Sequence, residues 1–188
     1  MKRIILGSNS PRRRELLAGL DVDFMVDTGN SFEEIPEEGL EAHEVPCRLS
    51  AGKSHGFHRP LEADEVLITS DTVVIVDGEV LGKPHSRGEA VAMLRKLSGR
   101  SHEVVTAVTL RDSVREETFS VSTKVHFVEL TQAEIDHYVD KYKPLDKAGA
   151  YGIQEWIGFV GISSIEGSFY NVMGFPVHRV WHELQSFL

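Results

Sequence analysis

The chain has 188 residues, enough for one domain, with or without two lobes, and for a substantial hydrophobic core. Its 20 Lys and Arg stand against 29 Asp and Glu, a formal charge of −9, which argues against general binding to nucleic acid or to an anionic membrane, since both need a basic surface. Cys47 is the sole cysteine, so an intramolecular disulfide and a thiolate metal cluster are excluded and a reducing cytoplasm fits; no apolar run approaches the ~18 residues of a membrane span, and the N-terminal stretch does not read as a signal peptide.

Ile4-Ile5-Leu6 reads as a short buried strand, and Glu15-Leu16-Leu17 begins an amphipathic pattern that reaches Leu20. Between them lies Gly7-Ser8-Asn9-Ser10-Pro11-Arg12-Arg13-Arg14. Ser10 suits a helix N-cap, and Pro11 suits the first helical position, where a missing N–H costs nothing. Three arginines in a first helical turn oppose the helix dipole, at ~0.3–1 kcal/mol each when exposed. Each arginine alone reads equally well as part of a solvated face. The whole strand–loop–helix unit favours phosphate binding, because a helix N-terminus already offers free N–H groups to an anion.

Phe24-Met25-Val26 reads as a second strand, followed by a polar loop from Asp27 to Glu38 that carries Glu33, Glu34, Glu37 and Glu38. Acidic loops are usually solvated, but this one directly follows a phosphate-site candidate, which makes Glu33 and Glu34 candidate metal ligands. Leu40 to His58 reads as a helix with a break or a new first turn at Pro46; Lys53 lies in its second half. Val66 to Val76 is the strongest β signal, a nearly continuous apolar run suited to a strand buried on both faces. Ser70-Asp71-Thr72 interrupts that run. A carboxylate inside such a segment is paired, metal-bound, at an open strand end, or caps a turn with Thr72, and the three successive polar residues favour function.

Asp77-Gly78 predicts a two-residue hairpin turn between Val73–Val76 and Glu79–Leu81. Gly82-Lys83-Pro84 is not a P-loop, because Ser or Thr is missing after the lysine, but Lys83 remains a candidate phosphate contact. Ser86 to Leu97 predicts a helix with Ser86 as cap and Glu89 three residues on. Val104–Leu110 and Glu117–Val128 predict two long strands, the second with one exposed face, and Thr131–Tyr142 a helix with a capping box. The Asp146–Gln154 run, with small residues and two glycines, lets the backbone pass close to a ligand or another chain. Gln154 carries both a donor and an acceptor, as reading a nucleobase edge requires, and reads equally as a loop glutamine. Trp156–Ile165 reads as strand-like, Gly167–Gly174 as a turn, and Pro176 opens a terminal helix to Leu188. His178 and His182, four apart on that helix, read as a surface pair rather than a zinc site. Strands and helices alternate early and two long strands follow, which gives an α/β class with a mixed sheet and places a ligand in a cleft between lobes.

Several pieces stand in order along nearly the whole chain: Ser8-Asn9-Ser10-Pro11-Arg12-Arg13, Lys53, Ser70-Asp71-Thr72, Leu81-Gly82-Lys83-Pro84, Leu97-Ser98-Gly99-Arg100, Asp146 to Gln154, and Gly174-Phe175-Pro176. Together they resemble the Maf-type nucleotide pyrophosphatases. The resemblance implies a single domain over 1–188, with a mixed, strongly twisted sheet flanked by helices and two lobes around a central cleft, usually as a homodimer. It implies metal-dependent cleavage of a nucleoside triphosphate to monophosphate and pyrophosphate. Asp71 matches the family's catalytic proton acceptor; Ser8, Arg12, Arg13, Lys53 and Lys83 match phosphate-handling positions; Arg12, Thr72 and Gln154 match positions that separate substrate branches. The long run ending at Gln154 looks like the branch acting on dTTP and UTP, with modified pyrimidine nucleotides an open alternative. Glu155-Trp156 stand where small residues are more usual, Phe175 where Leu is common, and Ser70 where a small apolar residue is typical.

The chemistry agrees independently: cations on the phosphate oxygens, an oxygen-liganded divalent metal (Mg²⁺ or Mn²⁺ before zinc) at Asp71, Glu33 or Glu34, and a base for water. Asp71 is the base, a metal ligand, or both. Two other classes remain open: a nucleotide-binding regulator of cell division with little turnover, and a phosphotransferase, the latter weakened by the missing P-loop.

Overall fold

The computed structural model describes residues 2–35 and 39–188, so Glu37 and Glu38 of the acidic loop lie outside the described residues. The chain runs β1 (Arg3–Leu6), α1 (Pro11–Ala18), β2 (Phe24–Val26), α2 (Val45–His55), β3 (Glu65–Val76), β4 (Glu79–Leu81), α3 (Arg87–Leu97), β5 (Ser101–Arg111), β6 (Glu116–Phe127), α4 (Gln132–Tyr142), a 3₁₀ turn at Ala148–Ala150, α5 (Trp156–Gly161), β7 (Ile162–Glu166), α6 (Phe169–Met173) and α7 (Val177–Gln185). Among the described residues the strands form a seven-stranded sheet in the order β2-β1-β3-β5-β6-β7, with β4 added on β3. The sheet is mixed: β1 runs parallel to β2 and β3, whereas β4 and β7 pair antiparallel with β3 and β6.

The local signals explain most of these elements. Ser10 caps α1 by accepting the Arg13 N–H (3.4 Å), and Pro11 is its first residue. Ser86 caps α3 through the Glu89 N–H (3.2 Å). Thr131 and Glu134 close the capping box of α4. Asp77 and Gly78 both have positive φ, 54° and 75°, as a type I′ hairpin turn requires, and Val74 pairs with Leu81. In β3 every residue is buried except Asp71 and Thr72, so the polar interruption is also the one opening in the strand. Along β6 the odd positions Phe119, Thr123, Val125 and Phe127 are buried, while Ser120, Ser122 and Lys124 are exposed.

Four expectations are corrected. The helix predicted from Leu40 begins only at Val45, because Pro46 belongs in its first turn, where no N–H is needed, and Glu41–Glu44 closes a turn before it (Glu44 N–H to Glu41 O, 2.9 Å). The strand-like reading of Trp156–Ile165 is half wrong: Trp156–Gly161 is a short helix and only Ile162–Glu166 is strand. Ile157 and Gly161, four apart, are its buried side, and Gly158 N–H bonds Glu155 O (2.9 Å) to make the first turn. The turn read over Gly167–Gly174 contains α6, and the terminal helix stops at Gln185.

The described residues fall into two compact units. The first comprises Met1–Asp71, Thr106–Val121 and Gly174–Leu188; the second comprises Thr72–Val105 and Ser122–Met173. A buried cluster of Ile5, Phe57, Leu61 and Leu67 lies in the first. The second is built on a larger core that includes Leu94, Leu97, Val104, Ile135, Tyr138 and Ile157. Among the described residues no helix is long and apolar enough to cross a membrane.

Candidate active site

In the first unit, the loop after β1 is organised by its own hydroxyls: Ser8 Oγ accepts the Ser10 N–H (3.2 Å) and lies 3.5 Å from Arg13 Nη1. Arg13 turns back from α1. Its Nε donates to the carbonyl of Gly174 (2.9 Å) and its Nη1 to the carbonyl of Ser70 (2.9 Å), so it ties the α1 turn to β3 beside Asp71. Burial lowers the pKa of this guanidinium from its ordinary value; Asp71 and Glu34 act the other way, and the neighbouring Arg12 adds to the lowering. Arg12 itself is half-buried.

Lys53 is the hinge of the charge arrangement. Its Nζ lies 2.5 Å from Asp71 Oδ1 and 2.7 Å from Glu34 Oε1. The Asp71 and Lys53 side chains are 15% and 22% exposed, that of Glu34 55%. An ammonium between two carboxylates offsets their mutual repulsion, and partial burial makes that attraction stronger than at an open surface.

Two devices bring Lys53 and Glu34 to Asp71. The first is a reciprocal clasp between α2 and β3. Ser50 Oγ donates to the Thr69 carbonyl (3.2 Å) and Thr69 Oγ1 donates to the Ser50 carbonyl (2.9 Å), while Ser50 also shares a hydrogen bond with Thr109 (2.9 Å), all of it buried. Lys53 follows Ser50 by three residues on the helix and Asp71 follows Thr69 by two on the strand, so the clasp fixes the register of both charged groups. The second device seats the acidic loop on α2. Gly52 leaves room for the Phe32 ring, which any side chain at Gly52 would overlap. Asn30 Nδ2 donates to the Lys53 carbonyl (2.5 Å), and Ser31 N–H to the Gly56 carbonyl (2.8 Å). Glu34 is thereby placed two residues beyond an anchored aromatic ring. Glu33 is exposed and is not among the carboxylates on Lys53.

Among the described residues no group of three or more His, Cys, Asp or Glu is placed to hold a metal ion. The structure therefore brings together two of the three expected ligands, Asp71 and Glu34, and leaves Glu33 outside the pair. The His178 and His182 rings pack edge to face, 4.8 Å apart, in keeping with a surface pair.

In the second unit, Thr72 is half-buried directly after Asp71, and Lys83 is exposed on the loop after β4. Gln154 is half-buried, and its Oε1 is buried with no hydrogen-bond partner among the described residues. Around it, Lys147 Nζ pairs with Glu155 Oε1 (3.1 Å) and Asp146 Oδ1 (2.9 Å), and Tyr138 donates its hydroxyl to Glu155 Oε2.

Sequence reading missed Ser50, Thr69 and Phe32, and the contacts that Tyr138, Lys147 and Glu155 make with one another. The glycines Gly52 and Gly56, four apart at the end of α2, were the available signal for Phe32. The Tyr138 position is indistinguishable in sequence from an ordinary core aromatic.

An α/β sheet whose first strand opens through a serine loop into an arginine-led helix, beside a lysine-bridged pair of carboxylates, defines a protein equipped to hold a polyphosphate. The model of one family, described as Maf-like protein, matches residues 3–187. The chain belongs to the Maf family. It is 49% identical over 184 residues to the dTTP/UTP pyrophosphatase of Phocaeicola vulgatus, covering 98% of this chain and 95% of that one. The dTTP/UTP pyrophosphatase of Porphyromonas gingivalis (strain ATCC 33277) is likewise 49% identical over 187 residues, with 98% and 94% covered. A solved structure of a HAM1 protein from Coxiella burnetii shares the fold, with a TM-score of 0.51 at 15% identity over 99% of this chain and 100% of that one.

Proposed function

We propose that this protein hydrolyses dTTP and UTP to the nucleoside monophosphate and pyrophosphate. The observation that carries the reading is the Lys53 bridge between Asp71 and Glu34 beside the Arg12–Arg13 turn. Cleavage between the α and β phosphates breaks the bond from the α phosphorus to the bridging oxygen, forms a bond from that phosphorus to a water oxygen, and releases pyrophosphate. The water loses a proton as it attacks, and Asp71 takes that proton. Arg12 and Lys53 balance the charge of the triphosphate, Ser8 and the first-turn N–H groups of α1 donate to its oxygens, and Arg13 holds that turn against the strand carrying Asp71. Lys83 supplies a further phosphate contact and Gln154 reads the base, with Thr72 beside Asp71 contributing to the choice of substrate.

The donor set suits a divalent metal. Asp71 and Glu34 offer hard oxygens, and Mg²⁺ or Mn²⁺ is commonly held by one or two carboxylates together with substrate phosphates, so a third protein ligand is not required. The metal, when bound, supplies positive charge at the phosphate oxygens. Exposed Glu33 is then a contributor only if it turns toward that pair. We further place the enzyme in the reducing cytoplasm as a homodimer, which sizing of the native protein by sedimentation tests directly.

The test of function is product analysis on a nucleotide panel, with and without excess chelator. Stoichiometric pyrophosphate and monophosphate from UTP and dTTP, abolished by chelator, is the expected result. Orthophosphate as product, or tight nucleotide binding with no turnover, overturns it; the latter is the behaviour of a regulator.

A further inference from the structure

We propose that the Lys53 ammonium and a divalent cation compete for the same two carboxylates, Asp71 and Glu34, and that the ammonium displaced from them passes to the phosphates of the substrate. One side chain then couples cation entry to phosphate capture. This rests on the metal-dependent reading given above.

The ammonium makes the contacts that such a cation would make. Its Nζ stands 2.5 Å from Asp71 Oδ1 and 2.7 Å from Glu34 Oε1, so both oxygens lie within reach of one small cation. A divalent ion takes such oxygens at about 2.0–2.1 Å in the case of Mg²⁺. It cannot do so with the ammonium in place, because two cations would crowd one pair of oxygens, and like charges a few ångström apart repel in a partly buried site. One of the three side chains has to move.

The fold settles which one. Asp71 is carried by β3, where Ser70 before it is buried, donates its hydroxyl to the Ala107 carbonyl (2.8 Å) and receives Arg13 on its own carbonyl (2.9 Å). Glu34 follows a segment laid directly on α2. The Phe32 N–H donates to Asn30 Oδ1 (2.8 Å), and a Cβ built at Gly56 would lie 2.6 Å from Phe32 Cβ and 2.7 Å from its nitrogen, so the segment already rests against the helix. Asn30 holds the Lys53 carbonyl as well (2.5 Å). The Lys53 main chain is thus tied down, and its ammonium stands at the end of a four-carbon stem of rotatable bonds. The Arg13 bond to Ser70 puts the α1 turn, the proposed phosphate seat, beside Asp71. An ammonium leaving Asp71 finds its new oxygens there.

The exchange fixes the sign of an effect. Lys53 weakens cation binding when no phosphate is present, and its contact with phosphate recovers that loss. A lysine that only ordered the two carboxylates would strengthen cation binding. One that only touched phosphate would leave it unchanged.

The experiment titrates chelator-treated protein with Mn²⁺ by calorimetry, without nucleotide, and compares the native protein with K53M, E34Q and R14M. The expected result is ~5- to 20-fold tighter Mn²⁺ binding in K53M, the scale of one or two exchanged charge-assisted contacts. E34Q should bind more weakly, and R14M, which removes an exposed charge on α1, should match the native protein. K53Q serves if K53M does not fold. UMP titrated with and without saturating Mn²⁺ then reads the coupling: the factor by which Mn²⁺ tightens UMP binding should shrink by a similar amount in K53M. Unchanged or weaker Mn²⁺ binding in K53M, with E34Q still impaired, overturns the exchange and leaves the carboxylate pair as the cation's site. Equal tightening in K53M and R14M overturns it as an effect of net charge. An unchanged coupling factor overturns the transfer to phosphate. If E34Q binds Mn²⁺ as the native protein does, the cation is not held at this pair, and the metal reading fails together with this inference.

Discussion

Two low-exposure carboxylates of the same unit, Asp71 within β3 and Asp112 in the turn that follows β5, are treated oppositely. Asp112 is saturated. Its Oδ1 accepts the N–H groups of Val114 (2.8 Å) and Arg115 (2.8 Å), and its Oδ2 receives Lys2. Burial pushes its pKa up, but the bonds from Lys2, Arg115 and Val114 more than offset this and hold it at about 2. Among the described residues Asp71 takes one donor, the side-chain ammonium of Lys53, at a point where the strand is open. A carboxylate clasped by backbone N–H groups has its lone pairs committed to the fold. One clasped by a single flexible side chain can exchange that partner for substrate, metal or a proton.

The largest expected effect breaks the comparison from the Asp71 side. Asp71→Asn should reduce kcat for UTP by at least ~10²-fold, the usual scale of general-base catalysis. Thermal stability should be nearly unchanged, since the residue anchors no backbone, and UTP affinity should hold or rise once a negative charge is removed. Near-native turnover in this variant makes Asp71 dispensable as the base and turns attention to Glu34.

Asp112→Asn is the mirror image, with kcat/KM kept and stability lost. The folded-state pKa lies below the ordinary carboxylate value of 3.8, so the stabilisation is present above about pH 4 and disappears as pH falls through about 2. From that shift its size at neutral pH is roughly 2 kcal/mol. Denaturant unfolding across pH 2–7 should therefore show native protein and variant converging as the solution is acidified. A gap that stays constant with pH would assign the loss to packing.

How much of this was legible in the sequence depends on whether the signal is local. The helix caps at Ser10, Ser86 and Thr131, the Asp77-Gly78 turn and the long β3 run are decided by residues a few positions apart, and the structure has them as read. Asp71 stood out because a polar break in an apolar strand is itself local. The pairing of Lys53 with Glu34 is not local: it depends on Phe32 lying over Gly52, and a loop phenylalanine with a helix glycine carries no mark of that contact. The Trp156–Ile165 misreading has the same root. A short stretch rich in Ile, Val and Phe suits strand or helix, and its first turn is settled by a hydrogen bond to the residue before it, at Glu155.

The smallest expected effect sharpens the comparison by asking how the flexible partner of Asp71 is aimed. Ser50 and Thr69 exchange hydrogen bonds between α2 and β3, with Lys53 and Asp71 just beyond them on each element. Ser50→Ala removes the bond to the Thr69 carbonyl and the link to Thr109, but Thr109 keeps its second partner, Thr118 (2.8 Å). The stability cost should therefore lie near ~1 kcal/mol, the net worth of a neutral hydrogen bond, and not at the higher cost of an orphaned buried group. If the clasp aims Lys53, kcat/KM for UTP should fall a further few-fold beyond what partial unfolding explains. Thr69→Ser, which keeps the hydroxyl, should restore native kinetics where Thr69→Val does not. Stability losses in Ser50→Ala and Thr69→Val with unaltered kinetics would mean that Lys53 finds Asp71 by its own flexibility, and that the clasp serves the fold alone.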